Sequence, residues 1–478
     1  MSQEFSTPLC VDLDGSLVET NTLFEAALSA IKKNPFRIFA LLSSGLQGKA
    51  HLKHQIGRYV KGENCMWPYN ATLLAFLRIE HAKGRPLILA TASDEVIAQG
   101  VAHELGIFSE VIASSPKHPV HASSKYIVLQ ERFGEGGFSY AGNSAADILV
   151  WNIAASAIIV HARASVADIV RKKIPVEAEF PATRKRTLQD LVQEIRIHQW
   201  MKNLLLFLSP LMAHQIGNPH IFIHAVFGFL SFSFLASSMY VINDLLDIPS
   251  DRAHPTKKMR PIARGTISAR DAVIVTVVLL CASLLLAYLL LPSSFVRVLL
   301  LYIAITLLYS LKAKRIPYLD IIILSGLYVL RIIAGSAATG VPTSKWLFLF
   351  AGCFFLYLAA IKRVTELLQL SKSEHAAPGR GYTKRDSELL TALGMMFSLL
   401  ACIVLGLYIS STTVALLYVT PAFLWVIVPL LLLWIVRIWY ITLRGQMPDD
   451  PVLFTSKDVA SYAIGALMIA SLLLAGVK

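Results

Sequence analysis

Cysteine and charged residues are scarce in this chain. Its 478 residues contain five cysteines, none of them in a C-x-x-C pair, and charged residues make up 16% of the sequence. The scattered cysteines exclude a disulfide framework and a zinc site built from cysteine pairs. Hydrophobic residues make up 55%, which is typical of a membrane protein that also has room for a soluble domain.

A leader segment and long apolar runs are missing from the first part of the chain. Residues 1–30 lack the basic start of a signal peptide, and no apolar run long enough to span a membrane occurs before about residue 204. We therefore expect a soluble domain (1–180) that stays in the cytoplasm, a basic linker (181–195) and a membrane domain (196–478). The prolines and bases of residues 171–186 predict that this connection lies on an anionic membrane surface.

The second part of the chain is strongly basic. Residues 1–190 carry 20 Lys and Arg against 18 Asp and Glu, whereas residues 191–478 carry 24 against 13. This surplus favours anionic lipids and phosphate-bearing substrates over nucleic acid. About nine apolar segments predict spans of an integral inner or plasma membrane protein, at 204–216, 221–243, 272–291, 295–311, 319–340, 346–361, 389–411, 413–436 and 459–477. The bases concentrate in alternate loops, which predicts that these loops are cytoplasmic and that the C-terminus is outside.

Three polar clusters in the first part each follow an apolar strand. Asp12 and Asp14 come after the first strand, Thr91 ends the second, and Asn143 and Asp147 follow the third. Alternating strands and helices predict a parallel sheet, whose ligands bind beyond the carboxyl ends of the strands. An Asp-x-Asp pair at such a position lets one carboxylate attack phosphorus while the other transfers a proton.

These clusters, in this order, resemble the haloacid-dehalogenase (HAD) phosphohydrolases over about residues 8–170. The resemblance implies a nucleophile at Asp12, an acid/base at Asp14, a phosphate-binding hydroxyl at Thr91 and a site lysine at Lys125, with Lys117 as an eligible neighbour. It also implies a Mg²⁺ site, for which the ligands would be Asp12, Asp14, Asn143 and Asp147. Residues 20–85 would form a small helical cap whose bases are either a solvated face or a guide for an anionic substrate. The family usually has Asp where Asn143 stands, so a non-catalytic regulatory or binding module is the alternative.

A second acidic cluster opens a basic loop between two apolar segments. Asn243, Asp247 and Asp251 are spaced i, i+4, i+8, with Asp244 beside them, so a helix places them on one face. Carboxylates at a membrane boundary need a partner, and Mg²⁺ bound to a diphosphate supplies one. The loop bases that would neutralise the anion are Lys257, Lys258 and Arg260. Pro249 predicts that the helix ends or kinks nearby and that Asp251 sits on a turn; the simpler alternative is a solvated helix end with a positive-inside loop.

This run resembles the first signature of the UbiA-type intramembrane prenyltransferases, and the resemblance extends over about residues 190–478. It includes Lys202 and Asn203 before the first span and a second locus from Tyr309 to Asp320. That locus has one carboxylate and three bases, whereas the aromatic prenyltransferases of the superfamily have a second acidic cluster. In this respect the chain is most similar to the decaprenyl-phosphate phosphoribosyltransferase branch. Further segments that resemble this branch are 330–335, 361–367, 379–382 and 449–451.

The branch resemblance implies Mg²⁺-assisted transfer from phosphoribosyl diphosphate (PRPP) to a polyprenyl phosphate. Asn243, Asp244, Asp247 and Asp251 would hold the metal on the diphosphate, and Asp320 would be a second metal ligand or would orient nearby bases. The implied substrate-binding residues are Lys202, Asn203, Lys257, Lys258, Arg260, Tyr309, Lys312, Arg331, Lys362 and Arg363. Prenylation of an aromatic acid by a polyprenyl diphosphate is the alternative reaction. The sequence predicts neither the prenyl chain length nor the oligomeric state.

Overall fold

A computed structural model describes residues 7–62, 66–115, 125–181, 187–254, 256–370, 381–383, 385–448 and 451–476. The chain forms two compact units, each described here by itself. The N-terminal unit comprises residues 1–195 together with 241–275, and the bundle unit comprises residues 196–240 and 276–478. Several residues singled out in the sequence lie outside the described ranges: Cys65, Lys117, residues 184–186, residues 379–380 and residues 449–450.

Six parallel strands form the sheet of the N-terminal unit, as the sequence predicts. The strands are β1 (Leu9–Val11), β2 (Leu87–Asp94), β3 (Glu110–Ser114), β4 (Ser139–Gly142), β5 (Ser156–Val160) and β6 (Val176–Phe180). Their order in the sheet is β3-β2-β1-β4-β5-β6. Val11, the last residue of β1, pairs with Leu89 on one side and Ala141 on the other. This register brings the residues that follow β1 and β4 to the same edge of the sheet.

Helices cover the sheet and form the cap. They are α1 (Thr22–Lys33), α2 (Arg37–Leu46), α3 (Lys49–Val60), α4 (Ala71–Ala82), α5 (Glu95–Leu105), α6 (Lys125–Phe133), α7 (Ile148–Trp151), α8 (Ala164–Lys173) and α9 (Leu188–Glu194). Leu73 and Leu77 of α4 pack in the same apolar cluster as Leu9 and Leu89 of the sheet. The cap therefore consists of α1–α3, because α4 belongs to the layer that covers the strands. The α/β fold with a parallel sheet and a small helical cap is confirmed, although the cap is shorter than the expected residues 20–85 because α4 packs on the sheet.

The membrane helices are longer and fewer than the sequence predicts. The remaining helices are α10 (Leu208–Met212), α11 (Pro219–Ala253), α12 (Ala269–Leu290), α13 (Ser293–Leu311), α14 (Leu319–Thr339), α15 (Lys345–Leu370), α16 (Asp386–Ile409), α17 (Thr412–Leu417), α18 (Ile427–Leu443), α19 (Pro451–Thr455) and α20 (Val459–Ala475). Within the described ranges, seven helical segments are long and apolar enough to cross a membrane, so the expected count of nine is not confirmed. Segment 204–216 is no span because a 3₁₀ stretch, Ile197–Phe207, leads into the short α10, and α20 has 17 residues. The protein is an integral, multi-pass membrane protein.

Helix α11 does not end at Pro249. It continues for four more residues to Ala253, so Asp251 lies in the helix and the expected turn at this position is wrong. A proline inside a helix removes one hydrogen bond and its ring crowds the carbonyl group of residue i−4, but here the helix end gains other contacts that offset this cost. Arg252 pairs with Glu25 at 2.7 Å, and Arg260 pairs with Asp251 at 2.6 Å. These ion pairs stabilise the last helical turn.

Candidate active sites

The first candidate site lies at the carboxyl edge of the sheet. Lys125 Nζ donates to Asp12 Oδ1 at 2.7 Å and to the hydroxyl of Tyr140 at 2.7 Å. It also lies 3.4 Å from Asp147 Oδ1, to which the Tyr140 hydroxyl donates at 2.8 Å. All four side chains are buried. The structure therefore brings together Asp12, Lys125 and Asp147, which the sequence predicts. It also adds Tyr140, whose contacts with Lys125 and Asp147 cannot be read from its position in a strand.

Burial and charge set the ionisation of this cluster. Burial raises the pKa of Asp12 to about 7, although the charge of Lys125 opposes the shift. Burial alone would lower the pKa of Lys125, but Asp12 and Asp147 outweigh it and raise this pKa. The pKa of Asp147 is lowered because Lys125 and Ser144 together outweigh its burial. Two carboxylates thus share one ammonium group, and the ionised form of Asp12 is less stabilised than that of Asp147.

Asp14 is held between the cap and the second strand. The backbone N–H and the hydroxyl of Thr22 donate to Asp14 Oδ1 at 2.7 and 2.8 Å. The hydroxyl of Ser93 donates to Asp14 Oδ2. The expected phosphate-binding residue, Thr91, is buried and accepts a bond from Ser93 N–H at 3.0 Å. Thr91 therefore shapes the turn that presents Ser93 to Asp14, a contact that the sequence does not predict.

A cap lysine reaches the same edge of the sheet. Lys53 Nζ, on α3, donates to the carbonyl oxygen of Ala92 at 2.6 Å. Burial lowers the pKa of Lys53, while the nearby carboxylates of Asp14 and Asp94 oppose this shift. The sequence leaves the cap bases open between a solvated face and an anion guide. The contact with Ala92 places Lys53 beside Ser93, at the same edge of the sheet as Asp14.

Asn143 packs against the glycine turn after β1. Its side-chain amide lies 3.4 Å from the carbonyl oxygen of Asp14, and its backbone N–H points to Asp147 Oδ2 at 3.2 Å. Gly15 has a φ of +80°, and a Cβ there would lie 2.0 Å from Asn143 Nδ2. The turn therefore requires glycine for its backbone conformation and for the close approach of Asn143.

The second candidate site is the acidic end of α11, in the same unit. Arg260 Nη1 donates to Asp244 Oδ1 at 2.9 Å and to Asp251 Oδ2 at 2.6 Å. Lys32 Nζ, on the cap helix α1, donates to Asp247 Oδ1 at 2.9 Å. The structure thus joins Arg260 to the predicted carboxylates, and it adds Lys32, which lies 215 positions earlier in the chain.

The other predicted residues around this end differ in exposure. Asn243 and Lys257 are partly buried, and Lys258 is exposed. Lys257 and Lys258 begin the 3₁₀ turn Lys257–Met259. These two lysines are therefore accessible to an anion in solution.

Both acidic clusters contain the oxygen donors that Mg²⁺ prefers. Among the residues that the structure describes, no three His, Cys, Asp or Glu side chains converge on one point. Mg²⁺ is usually held by one or two carboxylates, with waters and substrate phosphates completing its shell. Asp12 with Asp147, and Asp244 with Asp251, are pairs of carboxylates that share one basic side chain. The donor set at each place fits Mg²⁺.

A buried cation occupies the interior of the bundle unit. Arg331, on α14, donates from Nε to Asn203 Oδ1 at 2.9 Å and from Nη2 to the hydroxyl of Tyr302 at 3.3 Å. The rings of Phe232, Tyr302 and Tyr328 lie about its guanidinium at 5.4–5.5 Å. These partners are neutral, so the guanidinium keeps a net positive charge that suits a phosphate ligand.

A glycine explains how Asn203 reaches Arg331. A Cβ at Gly335 would lie 1.9 Å from the carbonyl oxygen of Leu206, so only glycine allows the 3₁₀ stretch Ile197–Phe207 to lie against α14. Asn203 is buried on this stretch, and Ser233 accepts a hydrogen bond from its amide at 3.0 Å. Lys202 is also buried, with Nζ 5.9 Å from the ring of Tyr328. The stretch therefore delivers both predicted polar side chains to the interior.

Asp320 is closed in by hydrogen bonds from the bundle unit. Arg363 Nε donates to one of its carboxylate oxygens and the hydroxyl of Tyr382 donates to the other. Arg363 also donates to Tyr309 at 3.0 Å and to Glu366. Because both oxygens are engaged in a fully buried pair, the arrangement favours Asp320 as an orienter of Arg363 over Asp320 as a second metal ligand.

Two further predicted lysines, Lys312 and Lys362, are less buried than Arg363. Lys312 caps the end of α13 and is exposed, and Lys362 precedes Arg363 on α15 and is partly buried. The structure does not enclose Lys312 with the Arg363 network.

Comparison with known proteins places this bundle in a family. Residues 204–473, more than half of the chain, match the UbiA prenyltransferase family. The uncharacterized protein y4nM of Sinorhizobium fredii is 33% identical over 470 residues, which cover 98% of this chain and 91% of that protein. A decaprenyl-phosphate phosphoribosyltransferase of Mycobacterium tuberculosis is 38% identical over 181 residues, 37% of this chain and 60% of that enzyme. The chain therefore aligns with less than two thirds of that relative.

One solved structure of similar fold is a UbiA homolog from Archaeoglobus fulgidus bound to DMAPP and Mg²⁺. It aligns with 59% of this chain and 98% of its own, with a TM-score of 0.44 and 21% identity. The evidence for the family is the match over residues 204–473 and the 33% identity with y4nM over 98% of this chain. The chain belongs to the UbiA prenyltransferase family.

Proposed function

We propose that this chain transfers 5-phosphoribosyl from PRPP to a polyprenyl phosphate with the help of Mg²⁺. The observation that carries this proposal is the closed state of Asp320, whose two oxygens are occupied by Arg363 and Tyr382. This leaves one acidic cluster for one metal-bound diphosphate, and a cationic locus for a less charged acceptor. The identity of 38% with a decaprenyl-phosphate phosphoribosyltransferase supports the same donor and acceptor.

The proposed roles follow from the chemistry of each side chain. Asn243, Asp244, Asp247 and Asp251 would hold Mg²⁺, and Arg260, Lys257 and Lys258 would bind phosphate oxygens of PRPP. The residues that would bind the lipid phosphate are Lys202, Asn203, Tyr309, Lys312, Arg331, Lys362 and Arg363. Asp320 would orient Arg363 toward this phosphate.

The transfer step needs no strong base. An oxygen of the lipid phosphate forms a bond to ribose C1 while the bond from C1 to the diphosphate oxygen breaks, and the diphosphate leaves with the electron pair. The attacking oxygen is already anionic at neutral pH, so no proton has to be removed. When bound at the acidic end of α11, Mg²⁺ would neutralise charge on the leaving diphosphate. When bound at the carboxyl edge of the sheet, it would neutralise charge on the phosphoryl group of the second reaction.

We propose further that the N-terminal unit removes the 5-phosphate from this lipid product. Asp12 would attack phosphorus while Asp14 donates a proton to the departing ribose oxygen. Water would then displace Asp12, with Asp14 accepting its proton, and inorganic phosphate would leave. Lys125 would keep Asp12 in place, and Lys53 would attract the anionic substrate. The lipid product of the first reaction carries a phosphomonoester on the 5-oxygen of its ribose. Because the phosphatase belongs to the same chain as the transferase, its effective concentration near this product is raised.

The sites of both reactions are expected to face the cytoplasm. The basic residues of segments 252–270 and 362–385 support this orientation through the positive-inside rule. PRPP is a soluble, highly charged donor, and a cytoplasmic acidic cluster would receive it without a transport step.

One assay tests the two reactions together. Full-length protein in lipid nanodiscs is incubated with Mg²⁺, polyprenyl phosphate and PRPP labelled in the ribose, and the lipids are analysed by mass spectrometry. We expect a labelled lipid that has lost the ribose 5-phosphate. If no label enters the lipid, the transferase proposal is wrong; if an aromatic acid is prenylated instead, the reaction is that of an aromatic prenyltransferase. A labelled lipid that keeps both phosphates would exclude the proposed phosphatase step and favour a binding module.

A further inference from the structure

Helix α2 of the cap presents an unusually apolar face to the outside. Phe36, Phe39, Leu42 and Leu46 are 77%, 68%, 64% and 91% exposed. The last three are spaced i, i+3, i+7, so they lie on one side of the helix, and Phe36 stands at its start. Such a contiguous apolar patch on a cap is a contact surface, because scattered single residues would not share a face.

The opposite side of α2 is packed, so the helix presents its apolar face in a fixed direction. Leu41 is buried in a cluster with Ala26 of α1 and with Ile56 and Val60 of α3. Ser44 is also buried, and its hydroxyl donates to the carbonyl oxygen of Ala40 at 2.7 Å. Exposure of the apolar face is therefore a property of the folded cap.

The charge around this helix has one sign. Between Glu25 and Glu63 the sequence contains no Asp or Glu, whereas it contains seven basic residues: Lys32, Lys33, Arg37, Lys49, Lys53, Arg58 and Lys61. An apolar helix face flanked by bases is the pattern of a helix that lies in the interface of an anionic membrane.

The helix before α2 is fixed to the end of a membrane-spanning helix within the same unit. Leu28 of α1 packs in a cluster with Val241, Leu245 and Ile248 of α11. Lys32 pairs with Asp247, as described above. Only residues 34–36 separate α1 from α2, a stretch that spans roughly 14 Å at most from Lys33 to Arg37. Helix α2 therefore starts close to the level at which α11 leaves the membrane.

We propose that α2 is an interfacial helix that inserts Phe36, Phe39, Leu42 and Leu46 into the acyl region of the adjacent leaflet. The occupant of the apolar face is the lipid bilayer, and the basic residues of the cap contact anionic headgroups. Helices of this kind place their apolar side about 5–10 Å below the headgroups. The contact depends neither on PRPP nor on the phosphatase reaction.

Photocrosslinking tests the proposal directly. Phe39→p-benzoylphenylalanine is introduced into the full-length protein, which is reconstituted into nanodiscs of phosphatidylcholine and phosphatidylglycerol and irradiated. The matched control is Ile79→p-benzoylphenylalanine, on α4 of the same unit, where the native side chain is 57% exposed. We expect phospholipid adducts at position 39 to exceed those at position 79 several-fold by intact-protein mass spectrometry.

The same experiment identifies other occupants. A crosslinked dimer at position 39 without lipid adduct would show that a second copy covers the face, and equal lipid adducts at positions 39 and 79 would show no lipid contact; either result overturns the proposal. Leu46→Glu in the position-39 variant supplies a second measurement, because Leu46 is too exposed for its substitution to unfold the cap. The charge should reduce the lipid adduct several-fold, and an unchanged adduct would also overturn the proposal. No substrate is present, so failure here leaves the proposed reactions standing.

Discussion

Arg85 and Lys125 lie at opposite ends of one parallel sheet, and each pairs with carboxylates. At the amino ends, Arg85 pairs with both Glu80 and Glu177, and the hydroxyls of two serines also donate to Glu177. Burial opposes ionisation there, but these donors outweigh it and lower the pKa of Glu177 to about 2. At the carboxyl ends, Lys125 is shared between Asp12 and Asp147, and burial raises the pKa of Asp12 to about 7. Among the contacts described, Glu177 accepts side-chain hydrogen bonds from Arg85, Ser139 and Ser156, whereas Asp12 accepts one from Lys125.

The contrast separates a structural pair from a site with spare binding capacity. A carboxylate that accepts about four hydrogen bonds has no lone pair left for a ligand, whereas a carboxylate such as Asp12, which accepts fewer, can still bind a cation. The acidic end of α11 resembles the second case, because Arg260 serves both Asp244 and Asp251. Asp320 is closer to the first case, because Arg363 and Tyr382 donate to different oxygens of this buried carboxylate.

The largest expected effect comes from removing the nucleophile at the carboxyl end. Asp12→Asn should lower phosphatase turnover by a factor on the order of 10⁴ or more, because the amide cannot attack phosphorus. Transfer from PRPP should continue, so a lipid with two phosphates should accumulate, as read by mass spectrometry. Glu177→Gln is the matched control and should retain phosphatase activity. Loss of the 5-phosphate at the normal rate in Asp12→Asn would mean that the N-terminal unit acts on another substrate.

The acidic end of α11 should give the reverse result. Asp247→Asn removes a proposed metal ligand and should abolish lipid labelling from PRPP. Hydrolysis of a small soluble phosphomonoester should be unaffected, because Asp247 is separate from the Asp12 cluster in the sheet. Asp271→Asn, at the start of α12, is a control for removing a carboxylate from the same region. The assignment fails if Asp247→Asn and Asp271→Asn label lipid equally well.

Removing the shared lysine should reveal the spare capacity at the carboxyl end. Lys125→Met leaves Asp12 and Asp147 buried without their cation, and the free energy of unfolding in metal-free buffer should fall by about 3–5 kcal/mol. Millimolar Mg²⁺ should recover part of this loss, because it replaces the missing charge. Denaturation monitored by amide exchange of β1 and β4 measures both changes. Arg132→Gln, which removes a surface pair with Glu110, should cost at most about 1 kcal/mol and show no Mg²⁺ response.

A smaller effect is expected at the closed carboxylate of the bundle. Asp320→Asn should weaken the orientation of Arg363 and raise the KM for polyprenyl phosphate roughly 10-fold, the scale of one hydrogen bond to a charged group. The Mg²⁺ concentration for half-maximal transfer should not change. Asp386→Asn, which removes a bond from Tyr318, should alter neither quantity. A raised Mg²⁺ requirement in Asp320→Asn alone would identify Asp320 as a metal ligand.

The sequence predicts the carboxyl edge of the sheet well because strand ends are local signals. Asp12 and Asp147 each follow a short apolar strand, and parallel strands bring such ends together whatever the connections between them. Lys125 requires the additional knowledge of a family resemblance, because a lysine at the start of a helix carries no local signal of a carboxylate partner 113 positions away. The sequence does not predict that Thr22 and Ser93 contact Asp14, because a hydroxyl on a cap or a strand looks the same whether or not a carboxylate lies opposite.

Contacts between distant segments account for most of the remaining differences. The pairs Lys32–Asp247 and Glu25–Arg252 join residues 215 and 227 positions apart, and no periodicity in either segment indicates them. Arg252 also explains why α11 continues beyond Pro249, because its ion pair with Glu25 stabilises the helix end where a proline would ordinarily stop the helix. Hydropathy predicts a span at 204–216 because it does not detect the buried Asn203 that precedes this segment or the close approach of Leu206 to Gly335.

The smallest expected effect is a pH dependence at the amino ends of the strands. The pKa of Glu177 is lowered in the folded state, so its contribution to stability is fully present above the ordinary glutamate value of about 4.3 and is lost as the pH falls toward 2. Glu177→Gln should therefore be less stable than the unsubstituted protein at pH 7, and the difference should shrink between pH 4.3 and 2. Amide exchange of β5 and β6 at pH 7, 4 and 3, corrected for intrinsic rates, measures this difference. Glu110→Gln, which removes a surface pair, should show little difference in stability at any pH. If the stability difference between Glu177→Gln and the unsubstituted protein stays constant down to pH 3, Glu177 acts by packing. The contrast between the two ends of the sheet would then lose its electrostatic basis.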